Sequence, residues 1–292
     1  MNKIIVILGQ TATGKSNLAV KIAQRISGEI ISVDSRQIYK NLNIGTGKIT
    51  PKEMQGIPHH LLDVVNPKYK FTVIEYQKLA ISAIADIYKR NKTPIICGGT
   101  GFYIDAITKG IIFPEVLPNN KLRKHLLQKD ATALFYKLKK LDPVKAKNID
   151  PKNKQRLIRA IEIAQALGSV PPITQALPVY KFIKIGLCLP QEILKKKVDK
   201  RVKKMFDKKN HGGLLNEIKK LKKPARLGGS GVSEKRLREL GFEYNNPTYE
   251  KVVQETLQYA KRQMTWFKRD KEIKWFTNSS LAFAYIHKLS AK

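Results

Sequence analysis

The chain is 292 residues long with 56 Lys and Arg against 23 Asp and Glu, a formal charge of +33. That length suffices for one large core and a second, smaller lobe. The composition excludes an acidic or membrane-spanning protein, since no stretch approaches the roughly 20 apolar residues of a bilayer span, and the short apolar run after Lys3 is no secretory signal.

The first element in chain order is a buried strand over residues 4–8, followed by GQTATGKS at 9–16 and a helix over 15–26 carrying Leu18, Ile22 and Ile26 on one side. A second strand is expected over 29–33, ending at Asp34, and a helix over 74–87. A third strand, over 93–97, runs into the turn GGTG at 98–101. This alternation predicts an α/β protein, a P-loop NTPase-like parallel sheet with helices on both faces and its ligand sites at the carboxyl ends of the strands. After residue 113 only helical spacing is found, through Leu122, Leu126, Leu134, Leu138, Leu141, Leu157, Ile161 and Ala164. A strand signal returns over 182–190, then basic helices over 192–206 and 216–223, a glycine-rich loop at 225–233, and a final helix over about 249–268. The expected organisation is therefore a first core part (1–113), an inserted small helical domain (114–181), and a completion of the core with basic helices (182–292). In the final helix, Val253, Leu257, Ala260, Met264 and Phe267 are expected to face the core, with Arg262 and Arg269 outward, while Trp266 reads either as a packing anchor or as a base-stacking platform.

Gly9 and Gly14 free the loop to point backbone N–H groups inward, Lys15 adds a point charge, and Ser16 offers a hydroxyl to Mg2+. The whole loop, Gly9, Gln10, Thr11, Ala12, Thr13, Gly14, Lys15 and Ser16, reads as a diphosphate or triphosphate site. No second strand ends in the apolar run plus aspartate of nucleotide-hydrolysing relatives, so motors and switches lose ground. Asp34, read as ending the neighbouring strand, suits a general base. Residues 1–113 carry +8 and the remainder +25, so the positive field lies mostly outside the loop, as a polyanionic partner would require. On a helix, Gln155, Arg156 and Arg159 cluster donors on one side. Cys97 and Cys188 lack metal or disulfide spacing and read as buried thiols. His59 and His60, in a loop without a third ligand nearby, read as structural.

In order, GQTATGKS, ISVDSRQIYKNLNIGTGK, IPHHLLDVVNP, PIICGGTGFYIDAI, DPVKAKNIDPKNKQRLIRAIEI and YAKRQMTWFKR resemble the bacterial tRNA dimethylallyltransferase family over nearly the whole chain. The resemblance implies transfer of a dimethylallyl group from its diphosphate to N6 of the adenosine next to the tRNA anticodon, position 37, with Mg2+. Without a membrane span or secretory signal the default expectation is a cytoplasmic protein, and a monomer is expected. Carried over by position, the resemblance implies that Gly9–Ser16 grip the diphosphate with Thr13 beside it. Asp34 would take the N6 proton, with Lys15 and Thr100 also in the catalytic site. Ser35, Arg36, Gln37 and Thr100 would contact the tRNA nucleotide, and Arg123, Gln155, Arg156, Leu157, Ile158 and Arg159 would contact the tRNA from the helical lobe. The sequence departs from the family at Gln10, where proline is usual, and at 225–245, where LRELGFEY replaces an Ile-Gly-Tyr-Lys-Glu motif. The rivals left open are a prenyltransferase for free adenine nucleotides, a small-molecule kinase, and an RNA-binding nucleotide switch.

Overall fold

The computed structural model describes residues 2–175 and 180–290. Contacts divide the chain into two compact units, Met1–Gly110 with Leu177–Lys292, and Ile111–Ala176. The smaller unit thus begins three residues before the expected 114 and ends five before the expected 181.

In the larger unit, β1 (Lys3–Gly9), α1 (Lys15–Ile26) and β2 (Gly28–Val33) form the first crossover. A short helix α2 (Pro51–Met54) precedes β3 (His59–His60), and α3 (Val73–Lys89) follows. Helix α3 starts at a capping box in which the Thr72 hydroxyl accepts the Glu75 N–H and the Glu75 carboxylate accepts the Thr72 N–H. Next come β4 (Thr93–Gly98) and α4 (Gly101–Thr108).

The smaller unit joins β5 (Ile111–Ile112) to β6 (Thr174–Gln175) as an antiparallel pair. Between them lie α5 (Asn120–Leu127), α6 (Ala131–Leu141), α7 (Pro143–Lys147) and α8 (Lys154–Leu167). Asn119, Asp130, Asp142 and Asn153 each cap the following helix with a side-chain oxygen. Leu126, Leu134, Leu138, Ala146, Leu157, Ile158, Ala160 and Ile161 form this unit's own core, whereas Leu141 remains exposed.

The larger unit resumes with β7 (Lys181–Leu187), α9 (Gln191–Phe206), α10 (Gly213–Lys222) and α11 (Glu234–Leu240). It ends with α12 (Tyr249–Phe267), β8 (Lys274–Phe276) and α13 (Ser279–Ser290). The sheet order is β3-β2-β4-β1-β7-β8 with every pairing parallel. Alternation along β1 sends Ile4, Val6 and Leu8 to the face covered by α3, α9 and α12, and Ile5 and Ile7 to the face covered by α1 and α13.

Three expectations change here. His59 and His60 lie on an edge strand, not in a loop. Asp34 does not end the strand next to β1, because β4 lies between. The core-facing side of α12 is Val252, Thr256, Ala260, Gln263 and Phe267, one position earlier than expected over most of its length, leaving Val253, Leu257 and Met264 only partly buried. No described helix is long and apolar enough to cross a membrane.

Candidate active site

The carboxyl ends of β1, β2 and β4 release three turns at one end of the sheet. After β1, Gly9 takes φ +129°, and a Cβ there would stand 2.2 Å from the Leu187 carbonyl oxygen on β7. Ala12 (φ 60°) and Gly14 (φ 91°) adopt left-handed backbone, which curls the loop before α1 begins at Lys15. Gln10, where the resembled family has proline, is buried and braces the loop. Its side-chain oxygen accepts the Leu189 N–H (3.3 Å), and its carbonyl accepts the Thr13 hydroxyl (2.8 Å) and the Lys15 ammonium (2.5 Å).

A cavity of about 500 Å³ opens against these turns, and its wall includes Thr11, Ala12, Gly14, Lys15, Ser16, Asp34, Gln37, Gly98, Gly99 and Arg201. The structure thus brings the loop and Asp34 to one cavity. Of the expected diphosphate residues, Gly9, Gln10 and Thr13 stand behind the wall. Thr13, expected beside the diphosphate, is 3% exposed and its hydroxyl donates to the Gln10 carbonyl. Asp34 uses Oδ1 to accept the N–H groups of Arg36 (2.8 Å) and Gln37 (3.2 Å). Its Oδ2 meets no hydrogen-bond donor among the described residues. Thr100, the first residue before α4, accepts the Ser35 N–H on its hydroxyl (3.1 Å). Thr100, Ser35 and Arg36 therefore support the Asp34 turn without lining the cavity. Two glycines let the site reach across the intervening β4: a Cβ on Gly98 would lie 2.0 Å from the Val33 carbonyl oxygen, and one on Gly99 2.2 Å from the Gln263 amide nitrogen.

Desolvation lowers the Lys15 pKa to about 8, with the Arg201 charge acting in the same direction and Cys97 and Asp34 opposing. Burial pushes the Cys97 thiol up to about 12, which makes it inert at neutral pH. Cys188 lies past the end of β7 and is half-buried, not fully buried as expected. His59 Nδ1 pairs with the Ile57 carbonyl oxygen and His60 Nε2 with Glu29. Among the described residues no group of three or more His, Cys, Asp or Glu could hold a metal. Trp266 is a packing anchor, its indole N–H donating to Asp105 Oδ2 (3.0 Å).

Sequence reasoning missed several wall residues. Arg201 on α9 donates to the Thr11 hydroxyl (2.9 Å) and the Thr46 carbonyl (2.8 Å), and burial lowers its pKa although it stays a cation at neutral pH. Lys197, Lys200 and Lys204 of the same helix join the wall, as do Tyr259 and Gln263 of α12. The loop at 43–47 is pinned from α10 by Glu217, which accepts the N–H groups of Asn43, Ile44 and Gly45 (2.9, 2.7 and 3.1 Å) and the Tyr244 hydroxyl (2.9 Å).

Within the smaller unit, Gln155 and Arg156 are exposed on α8. Leu157 and Ile158, expected to touch RNA, are core residues at 0% and 6% exposure. Arg123 and Arg159 both bond Glu162, whose side chain is 1% exposed, and Arg159 also donates to the Val116 carbonyl. The expected donor cluster is accordingly reduced, with Arg159 engaged internally and Arg156 left outward.

A sequence model of the IPP transferase family matches residues 37–270. The chain belongs to this family. It is 40% identical to a tRNA dimethylallyltransferase of Halothermothrix orenii, over 95% of this chain and 88% of that one, and 38% identical to that of Staphylococcus aureus, over 97% and 96%. The structure superposes on a full-length tRNA isopentenylpyrophosphate transferase from Bacillus halodurans with a TM-score of 0.68 at 32% identity, covering 100% of this chain and 96% of the other. A eukaryotic dimethylallyltransferase captured acting on tRNA gives a TM-score of 0.73 at 27% identity, covering 96% and 74%. The expected α/β fold with a P-loop-like parallel sheet agrees with these family neighbours.

Proposed function

We propose that the chain transfers a dimethylallyl group from dimethylallyl diphosphate to N6 of the adenosine at position 37 of a tRNA. The products are N6-dimethylallyladenosine and diphosphate. The observation that carries this reading is one cavity whose wall holds both the glycine-bracketed loop after β1 and the Asp34 carboxylate. In the reaction the C1–O bond of the donor breaks, the N6–C1 bond forms, and the N6 proton passes to Asp34 Oδ2. An exocyclic amine is a poor nucleophile, so stabilisation of the leaving group must supply much of the rate. Lys15, Arg201 and the loop N–H groups at the start of α1 provide that positive field.

Ser16, exposed on the first turn of α1 and part of the wall, fits a magnesium ion bound mainly by substrate oxygens and water. Bound there, the ion would neutralise charge on the departing diphosphate. The anticodon base must leave its stack to reach the cavity, and the basic second half, with Gln155 and Arg156, supplies a grip on the flanking backbone. A cytoplasmic monomer is part of this reading. The test is incubation with labelled dimethylallyl diphosphate and total tRNA, followed by nucleoside analysis. Label in N6-dimethylallyladenosine supports the proposal, whereas label confined to free nucleotides, or absent from RNA, overturns it.

A further inference from the structure

The phosphate loop and the GGTG turn leave different strands, yet one side chain from α12 ties them together. Gln263 is 5% exposed and uses both ends of its amide: Oε1 accepts the Thr11 N–H (2.8 Å) and Nε2 donates to the Gly99 carbonyl (2.9 Å). The neighbouring links continue toward Asp34. The N–H groups of Gly99 and Thr100 donate to the Val33 carbonyl (3.2 and 3.3 Å), and Thr100 Oγ1 accepts the Ser35 N–H (3.1 Å). The GGTG turn and the Asp34 turn are thus locked to each other by two backbone bonds and the Thr100 hydroxyl, and Gln263 joins the phosphate loop to that pair. The space suits this side chain, since any Cβ on Gly99 would collide with its amide nitrogen.

We propose that Gln263 is a positioning residue that fixes the separation between the leaving-group cradle and the Asp34 carboxylate. The inference rests on the reaction proposed above. An amide is required because one neighbour is a donor and the other an acceptor. A carboxylate can serve Thr11 but not Gly99, and an apolar side chain serves neither. Displacement of one reacting group by about 1 Å can lower rate by about 10²-fold while leaving binding nearly intact.

The test compares the parent with Gln263→Glu in transfer of labelled dimethylallyl to tRNA, with kcat and KM measured separately. Near neutral pH, kcat should fall by about 10²-fold while KM for the prenyl diphosphate stays within about threefold. Protonation gives the Glu side chain a donor, so the ratio of variant to parent kcat should recover as pH falls, which a general loss of packing would not produce. Gln263→Met, which keeps length but neither bond, should show the same loss at every pH. It also serves should Gln263→Glu fail to fold. The proposal is overturned if kcat of these variants stays within about twofold of the parent, if KM alone rises, or if the loss is fully explained by the folded fraction. A parent that transfers nothing to RNA would instead overturn the reaction itself, and is recognised without any variant.

Discussion

Raising the pH from 7 to 9 should discharge Lys15 and loosen the grip on a prenyl diphosphate. With a pKa of about 8 in the free enzyme, the ammonium is about 90% charged at pH 7 and about 10% charged at pH 9. An adjacent diphosphate favours the charged form, so the complex keeps its proton over this range. The free enzyme must then take up a proton before it binds, and Kd should rise about tenfold across the two units, near 1.4 kcal/mol. A non-reactive analogue of dimethylallyl diphosphate is the right probe, because its terminal phosphate, with a pKa near 6, is ionised at both pH values. Titration calorimetry at pH 7, 8 and 9 gives the slope. Lys15→Arg keeps its charge throughout and should flatten it. A parent whose Kd is unchanged between pH 7 and 9, or an Arg variant as steep as the parent, would refute the reasoning.

Three further outcomes are expected. Asp34→Ala should lower transfer by about 10²-fold or more while tRNA affinity, read by gel shift, is retained; full activity would remove Asp34 from the chemistry. Arg156→Glu should weaken tRNA binding and flatten the dependence of log K on log salt by about one contact or more, and an unchanged slope would place Arg156 away from phosphate. Glu162→Gln should destabilise the smaller unit by about 1–3 kcal/mol, because two guanidinium groups lose a buried carboxylate but are themselves about a third exposed and stay hydrated; hydrogen exchange over residues 119–162 of the full chain measures it. Burial opposes the charged form of Glu162, but bonds from Arg123, Arg159 and the Asn119 N–H outweigh it and lower the pKa. The stability it contributes is therefore complete above the ordinary carboxylate pKa of 4.5 and lost as pH falls below it.

The central strands were legible because β1, β2 and β4 are apolar runs that end in glycine turns or a lone aspartate. Strands β3 and β8, two and three residues long at the sheet edges, carry no period to detect. They pair only because a neighbouring strand presents a free edge. The order β2-β4-β1 was beyond local reading for the same reason. Separation along the chain says nothing of which strand is interposed, and Asp34 proved one strand further from β1 than assumed.

Site residues divide along a similar line. Those of the phosphate loop announce themselves through spacing, whereas Arg201 and Gln263 reach Thr11 from 190 and 252 residues away. On α9 Arg201 sits among Lys195, Lys196, Lys197, Lys200, Lys203 and Lys204, and charge alone does not separate a cavity-facing cation from a solvated one. The phase of α12 departs from its apolar spacing. Apolar spacing favours Val253, Leu257 and Met264, but the buried side includes Thr256 and Gln263, whose polar atoms are satisfied by the Val252 carbonyl (2.6 Å) and by the two glycine turns. A helix can turn polar residues inward only where partners already wait. In α12 only Gln263 among the inward polar residues finds its partners on other elements, the phosphate loop and the GGTG turn, whereas Thr256 is satisfied within its own helix.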